Sequence, residues 1–438
     1  MTTNSMNSGF STSRYSRGAD GTLHVAGRVV VDSNDVRAID ELLPGAAQVV
    51  DTIDRLELSL LAFNDIDSAL AALPVGPSLP DADPVEKLMA RIRAAAARLE
   101  PPQAPRMGKE RVVLGGEGWP YPSPKVPTLT PRAASGPFPD PTGAPEYDPG
   151  DAASGGTQGE EAGAVDEAPP VVRSAGESGS AVLVGILDSS VVNDDAFADV
   201  VHFCDSDSQL APADLQLAWQ GHGTFVTGLV HAEAPEAQIQ IKAVLTTNGF
   251  ATAWEAAKGM VELESKKVHV INMSIGCVTG DSQAPFALLR AVDRLSQDVV
   301  LVAAAGNLDP IAQGPSAPVW PAALPGVLAV GSITEQGVPS AFSPQEPWVD
   351  VTAVGEDVRS TFTTGDVACG LDRGGSRSRH FWGTAIWSGT SFAAATVTGR
   401  LAHRAGQTGG DEDPRRTIRD LADKLRTGRL PDKVVRQA

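Results

Sequence analysis

Cysteine is scarce in this chain of 438 residues. The three that occur, Cys204, Cys277 and Cys369, lie far apart and form no Cys-x-x-Cys pair. Widely separated cysteines argue against a disulfide framework and against a zinc site built from thiolates. We therefore expect reduced thiols.

Long apolar runs and basic residues are also lacking. No stretch approaches the roughly 18 consecutive apolar residues of a membrane span, and the first thirty residues have no apolar core typical of an export signal. The 54 acidic residues outnumber the 35 basic ones, which gives a formal net charge of −19. Such a charge opposes binding to nucleic acid or to an acidic membrane surface. The sequence therefore predicts a cytoplasmic protein with neither of these partners.

Composition divides the chain into five parts. Residues 101–180 contain 15 prolines and 13 glycines, a content typical of low-complexity segments, and we predict a long, disordered acidic linker there. Residues 1–20 are predicted to be disordered and residues 21–100 to form a small α+β domain. Residues 181–405 are predicted to form a large α/β domain, and residues 406–438 a helical tail.

Hydrophobic patterns support the small domain. Residues 23–32 and 56–60 predict strands, whereas the apolar residues of 36–43 and 66–73 recur at helical spacing. A third helix is predicted over residues 83–99. Asp83 occupies its N-cap position, Pro84 follows it, and Glu86 stands where a capping box places an acid.

After residue 180, apolar strands alternate with helical segments. The predicted strands are 181–188, 239–245, 268–276, 299–307 and 327–333. This alternation is typical of a parallel sheet, and the near-continuous apolar strands imply that helices cover both of its faces. We therefore predict an α/β fold with a doubly wound, mostly parallel sheet. Ligands bind such sheets outside the carboxyl ends of the strands, so polar residues at those ends are candidates for chemistry.

Three polar residues stand at such positions. Asp188 ends the first strand, His222 lies between two glycines at a helix start, and Ser391 follows a Gly-Thr turn that leads into a helix of small residues. Taken singly, Asp188 and Ser391 have the plain interpretation of turn or helix caps, and His222 that of a structural histidine. Together they supply a nucleophile, a base that takes its proton, and a carboxylate that orients the base.

The motifs around these residues resemble those of the subtilisin-like serine proteases. ILDSS, HGTFVTG, AAAGN, VWPAALPGVLAVGS and GTSFAAATVTG occur in the family's order between residues 181 and 405, and the chain order Asp, His, Ser is that of subtilisin. The resemblance implies that Asn307 and the backbone N–H of Ser391 donate hydrogen bonds to the oxyanion. Without the resemblance, Asn307 would be interpreted as a turn former.

The resemblance also implies substrate-binding residues. A strand that pairs with an extended peptide is implied for Ser274, Ile275 and Gly276, for which the alternative is a plain core strand. A wall of the S1 pocket is implied for Ala303, Ala304, Ala305 and Gly306.

Some positions depart from the family pattern without removing a catalytic group. Phe225 follows His-Gly-Thr where His is frequent, Ser190 stands where Gly is common, and Ala395 stands where Pro is usual. The segment 359–382 is predicted to be a surface insertion, either a solvated loop or a rim or lid of the site. The acidic run 205–208 offers oxygen ligands but lacks an EF-hand pattern, and no metal site is predicted.

The function predicted from the sequence is that of a serine endopeptidase, which hydrolyses proteins or peptides through an acyl-enzyme and needs no cofactor. The alternative is a catalytically silent scaffold of the same fold that binds peptides or a partner. By position and element order, residues 21–100 resemble the family's inhibitory propeptides, which would make this domain an intramolecular partner of the protease domain. The alternative for that domain is a docking module for another partner.

Overall fold

A computed structural model describes most of the chain outside the Pro- and Gly-rich segment. The described residues are 14–18, 22–77, 79, 81–99, 104–115, 132–133, 181–192, 197, 199–211, 217–247, 249–307, 317–372, 375–407 and 413–428. Most of the predicted linker and residues 1–13 and 429–438 lie outside these ranges.

An antiparallel sheet covered by helices forms the N-terminal unit. Its elements are β1 (Tyr15–Arg17), β2 (Leu23–Asp32), α1 (Val36–Leu42), β3 (Ala47–Ile53), β4 (Leu58–Phe63), α2 (Ile66–Ala72), α3 (Pro84–Ala96) and β5 (Met107–Gly115). Four strands pair in the order β5-β2-β4-β3, and β1 lies beside β2. Asp83 caps α3, as its sequence predicts, by accepting a hydrogen bond of 3.1 Å from the amide of Glu86. The helices bury Leu88 and Ile92 against one face of this sheet.

Two predicted boundaries of this unit are wrong. The linker was predicted to begin at residue 101, but Met107–Gly115 form β5, which pairs with β2 of the N-terminal sheet. Prolines and glycines counted over a long window concealed the β-forming run of Val112, Val113 and Leu114. In addition, Tyr15–Arg17 form β1 within a stretch that was predicted to be disordered.

The larger unit is an α/β domain. Its first half contains β7 (Leu183–Asp188), β8 (Val191–Val192), β9 (Val201–Phe203), β10 (Gln209–Leu210), α4 (His222–Glu233), β11 (Gln238–Ala243), β12 (Phe250–Thr252), α5 (Ala253–Ser265) and β13 (Val270–Met273). Its second half contains β14 (Ile275–Gly276), α6 (Phe286–Leu295), β15 (Val300–Ala304), β16 (Val327–Ile333), β17 (Val351–Val354), β18 (Val358–Asp372), β19 (Gly375–Trp387), α7 (Thr390–Gln407) and α8 (Pro414–Arg426). β6 (Arg132–Ala133) pairs with β19.

The predicted parallel sheet is confirmed. Its strand order is β17-β16-β15-β13-β7-β11-β9, and every neighbouring pair is parallel. Helices α4, α7 and α8 pack on one face, and α5 and α6 on the other. No helix among the described residues is long and apolar enough to cross a membrane.

Three segments of this domain differ from their predictions. The strand predicted over 268–276 is broken after Met273, because β14 leaves the parallel sheet and pairs with β5. Segment 359–382 belongs to the antiparallel pair β18–β19, whose Phe362 and Phe381 are fully buried with ring centroids 4.8 Å apart. Helix α8, predicted as part of a tail, buries Ile418 and Leu425 in the domain core.

The second face of the N-terminal sheet packs on α5 and α6. Val30, Leu58 and Leu60 share one buried cluster with Trp254 and Met260. This shared core joins the two units over an apolar surface.

A buried ion pair crosses the same interface. Nη2 of Arg290 on α6 lies 2.7 Å from Oδ2 of Asp32, and both side chains are buried. Nη1 of Arg290 also donates to the carbonyl oxygen of Leu56 at 3.1 Å. Burial by itself raises the pKa of Asp32, but hydrogen bonds from Arg290 and Asn34 outweigh it and hold the pKa below its ordinary value.

Further charged pairs lie around this interface. Asp51 accepts hydrogen bonds from Trp254 Nε1 at 3.0 Å and from Lys258 Nζ at 2.8 Å. The other pairs are Glu57 with Arg294, Arg55 with Asp298, and Arg111 with Asp281. Charges of both signs are thus matched across the contact.

Candidate active site

Asp188 and His222 meet at the carboxyl edge of the parallel sheet. Asp188 is the last residue of β7 and His222 the first of α4. His222 Nδ1 lies 2.7 Å from Asp188 Oδ1, which also accepts the amide of Ser189 at 2.7 Å. Both side chains are buried. This contact fixes the imidazole with Nδ1 toward the carboxylate and Nε2 away from it.

A close backbone approach sets the position of α4. The amide of Gly223 donates to Ser189 Oγ at 2.9 Å. A Cβ atom at Gly223 would lie 2.4 Å from the carbonyl oxygen of Ser189. Glycine is therefore required beside His222 for the helix to start this close to β7.

An aromatic cluster surrounds the imidazole. The rings of Trp387 and Phe392 each lie with centroids 5.5 Å from that of His222. Phe225, at the position where the family often has His, is fully buried, 4.5 Å from the ring of Phe392. The departure at this position therefore fills the core behind His222. His222 Nε2 is buried and has no hydrogen-bond partner among the described residues.

Ser391 lies in the first turn of α7, next to Asn307. The amide and hydroxyl of Thr390 donate to Asn307 Oδ1 at 2.9 and 3.0 Å. The hydroxyl of Thr390 accepts the amide of Gly306 at 3.0 Å. Because two donors hold the side-chain oxygen of Asn307, its Nδ2 group points to the other side. Ser391 also lies at the positive, N-terminal end of the α7 helix dipole.

Two small cavities meet at Ser391 and Asn307. One is lined by Leu114, Ser274, Ile275, Gly276, Ala304, Gly306, Asn307, Thr390 and Ser391. The other is lined by His222, Asn307, Trp387, Ser388, Gly389, Ser391 and Phe392. The structure therefore brings His222, Asn307 and Ser391 to one cavity, and Asp188 is joined to His222.

The sequence of the larger unit matches that of a known protein family. Residues 179–430 match the model of the Subtilase family. The chain belongs to this family. The matched range continues beyond the predicted boundary at residue 405 and includes α8.

Individual relatives are similar over half of this chain or slightly more. The chain is 32% identical over 229 residues to the thermophilic serine proteinase of Bacillus sp. strain AK1, covering 50% of each chain. It is 30% identical over 262 residues to thermitase of Thermoactinomyces vulgaris, covering 56% of this chain and 83% of that one. A solved cold adapted subtilisin-like serine proteinase is 24% identical with a TM-score of 0.43, covering 58% and 87% of the chains. The chain spans about half the length of the first of these relatives.

The cleft of this subtilase holds a segment of its own N-terminal unit. Strand β5 pairs antiparallel with β14, placing Leu114 opposite Gly276 and Gly115 opposite Ile275. On its other side β5 pairs antiparallel with β12, and the amide of Gly115 donates to the carbonyl of Gly249 at 3.0 Å. The segment is therefore the middle strand of three, and it runs toward Ser391.

The predicted substrate-binding residues divide into two groups. Ser274, Ile275 and Gly276 line the cavity beside Ser391, as do Ala304 and Gly306. Ala303 and Ala305 are fully buried and line neither of the two cavities, and Ala303 packs in the core below the sheet. Because side chains alternate along β15, adjacent alanines face opposite sides.

A buried polar network behind the nucleophile was missed from the sequence. Asn272 Nδ2 donates to Ser274 Oγ at 2.9 Å, and Ser274 Oγ donates to the carbonyl of Ser391 at 3.2 Å. Thr398 on α7 donates to Asn272 Oδ1 at 3.1 Å. The one signal in the sequence is a polar Asn272 within the apolar strand VINM. The network ties the start of α7 to the strand that borders the cleft.

Cys277 is a buried thiol, and Asp205 in the acidic run 205–208 is a paired carboxylate. Cys277 is 4% exposed, and burial raises the pKa of its thiol to about 12. The carboxylate of Asp205 accepts the amide of Ser208 at 2.9 Å and pairs with Lys242. Among the described residues, no group of three or more His, Cys, Asp or Glu is arranged to hold a metal ion.

Proposed function

We propose that this subtilase is a serine endopeptidase with Ser391 as nucleophile, His222 as base, Asp188 as its orienting carboxylate and Asn307 as an oxyanion donor. The observation that carries the proposal is the 2.7 Å contact between His222 Nδ1 and Asp188 Oδ1. It leaves His222 Nε2 without another partner among the described residues, in a cavity shared with Ser391.

The chemistry follows from these positions. Ser391 Oγ attacks the carbonyl carbon of the scissile bond while Nε2 of His222 takes its proton, and Asp188 stabilises the imidazolium. The oxyanion receives hydrogen bonds from Asn307 Nδ2 and from the Ser391 amide. His222 then gives its proton to the leaving amine, and water hydrolyses the acyl-enzyme by the same route.

The substrate class that fits the cleft is an extended polypeptide. The two flanking strands, β12 and β14, already pair with a strand between them. Such pairing binds backbone groups irrespective of side chains. Ala304 and Gly306 leave room for a side chain beside Ser391.

We further propose that residues 14–115 are a propeptide-like inhibitor of the domain that follows them. β5 occupies the position that the acyl side of a substrate would take, since Leu114 lines the cavity beside Ser391. The apolar contact with α5 and the Asp32–Arg290 pair hold it there. A cytoplasmic location stays a prediction of the sequence.

The catalytic proposal is tested with a fluorophosphonate probe and a denatured protein substrate. After release of the N-terminal unit, which is proposed to fill the cleft, the wild-type protein should be labelled and should cleave the substrate, and Ser391→Ala should do neither. Asn307→Ala should lower kcat by about 10²- to 10³-fold, the usual cost of removing an oxyanion donor. Ser265→Ala, at an exposed hydroxyl on α5, is the matched control and should behave as wild type. Proteolysis by Ser391→Ala at the wild-type rate would contradict the proposal, and absence of labelling in every variant would favour the silent scaffold.

The inhibitory role is tested with two fragments, of which only the longer contains β5. Residues 181–438 are expressed alone, and residues 1–115 or 1–100 are added in trans. The longer fragment should inhibit stoichiometrically or restore folding, whereas the shorter one, which lacks β5, should be much weaker. A protease domain that folds unaided and ignores both fragments would eliminate the propeptide-like role.

A further inference from the structure

The loop that follows β14 presents a carboxylate beside the strand that lies in the cleft. Asp281 is on this loop, between β14 and α6, and its side chain is 46% exposed. Its Oδ2 atom lies 3.0 Å from Nη2 of Arg111 on β5. An ion pair therefore joins the protease domain to a side chain of the strand that fills the cleft.

Contacts within the protease domain hold Asp281 in place. Asp281 Oδ1 accepts the amide of Gln283 at 3.1 Å. The amide of Ser282 donates to the carbonyl oxygen of Thr279 at 3.1 Å, and the hydroxyl oxygen of Thr279 accepts Nε1–H of Trp320 at 3.2 Å. These four contacts do not involve the N-terminal unit. Asp281 therefore keeps its position when β5 leaves, and its Oδ2 atom is then available to another cation.

The N-terminal unit adds one contact of its own to the pair. Nη1 of Arg111 donates to Oγ1 of Thr22, and the Arg111 side chain is only 6% exposed. A substrate side chain in the same place would lack Thr22 and would be more exposed to water. An ion pair that stays partly exposed favours binding by at most about fivefold.

The position of Arg111 along β5 determines which substrate residue lies beside Asp281. Leu114 lines the cavity beside Ser391, and Arg111 precedes Leu114 by three residues. A strand advances about 3.3 Å per residue, so Arg111 lies about 10 Å before Leu114 along the strand. Because the scissile bond lies at Ser391, the substrate residue that takes the place of Arg111 stands about five positions before that bond.

We infer that Asp281 selects polypeptide substrates with a basic residue about five positions before the scissile bond. The inference rests on the proposed peptidase function and deepens it, because it names a side chain that the cleft distinguishes. Backbone pairing with β12 and β14 does not depend on side chains. A carboxylate fixed beside one position of the bound strand adds a preference for positive charge there.

The test uses the full chain after release of its N-terminal unit, and peptides that differ in one residue. A single arginine is placed in turn at the third to the eighth position before the scissile bond, and each peptide is compared with one that carries neutral citrulline there. Active sites are counted with a fluorophosphonate, and kcat/KM is measured per active site. We expect the ratio of arginine to citrulline peptide to reach about fivefold at one position and to stay near one elsewhere.

Three variants show whether Asp281 causes the preference. Asp281→Asn keeps an oxygen that can accept the Gln283 amide but removes the charge, so the ratio at the selected position should fall to near one. Asp281→Lys should reverse the preference, so that a glutamate peptide exceeds its glutamine counterpart at that position. Asp420→Asn removes the same charge from an exposed carboxylate on α8 that pairs with Lys424, and it should keep the wild-type ratio.

The outcomes separate this inference from the proposed function. A ratio near one at every position, a preference spread evenly over the positions, or a preference that Asp281→Asn retains would overturn the inference while the peptidase function stands. Absence of titratable active sites after release of the N-terminal unit would instead refute the proposed function and, with it, this inference.

Discussion

Arg290→Ala should open the contact between the N-terminal unit and the protease domain. Removing one partner of a buried ion pair costs about 3–5 kcal/mol. The lower end of that range applies here, because Arg106 Nη2 also lies 2.7 Å from Asp32 Oδ2 and would still face the remaining carboxylate. About 3 kcal/mol corresponds to an increase of roughly 10²-fold in the opening equilibrium.

Hydrogen exchange at Gly115 measures this equilibrium directly. The amide of Gly115 bonds across the cleft to Gly249, so it exchanges only when β5 leaves the cleft. The measurement is made in a Ser391→Ala background so that the chain stays intact. Protection of Gly115 should fall by about 10²-fold in Arg290→Ala.

Arg294→Ala is the matched control on the same helix. Arg294 pairs with Glu57, and their side chains are 40% and 49% exposed. An exposed pair contributes about 0–1 kcal/mol, so protection of Gly115 should change by less than about fivefold. Equal effects of the two substitutions, or an effect of Arg290→Ala below about fivefold, would refute the reasoning that burial of the Asp32 pair holds the units together.

Three further outcomes are expected. Burial raises the pKa of Glu110 on β5. The docked form therefore binds the Glu110 proton more tightly than the separated form does, and docking weakens as the pH rises through the raised pKa. Glu110→Gln should abolish this part of the pH dependence of Gly115 protection. Gly223→Ala should lower kcat/KM at least about tenfold with little change in fold by circular dichroism, because its Cβ would press on Ser189 and displace His222. A bulky mercurial should have the same effect on wild type and on Cys277→Ser, because the Cys277 thiol is buried; inhibition of wild type alone would show that the thiol reaches the cleft.

The motifs point to candidate residues that stand at the ends of regular elements. Asp188 ends a strand, while His222 and Ser391 start helices, so the parallel order of the strands brings them to one edge. The Asn272–Thr398 contact joins β13 to the middle of α7, and nothing in the local sequence around either residue predicts this contact.

The linker prediction, which rested on composition, concealed strand β5. β5 is a strand because the N-terminal sheet, β12 and β14 all supply partners for it, and these partners are distant in sequence. The same holds for the Asp32–Arg290 pair, which is separated by 258 residues. From sequence alone, charged residues at these two positions are interpreted as solvated surface residues, because only the contact between the two units buries them.

Strand β5 lies in the interior of its sheet only while the two units stay together. In the order β12-β5-β2-β4-β3, departure of the protease domain would remove β12 and β14 and turn β5 into an open border. Its unpaired N–H and C=O groups would then be exposed to any passing chain, and Val113, fully covered in the joined form, would meet water. Separation would thus give an N-terminal unit whose edge strand β5 is exposed, aggregation-prone and itself an extended peptide. Such a fragment invites digestion by the protease it has just left, which would make its release a one-way event.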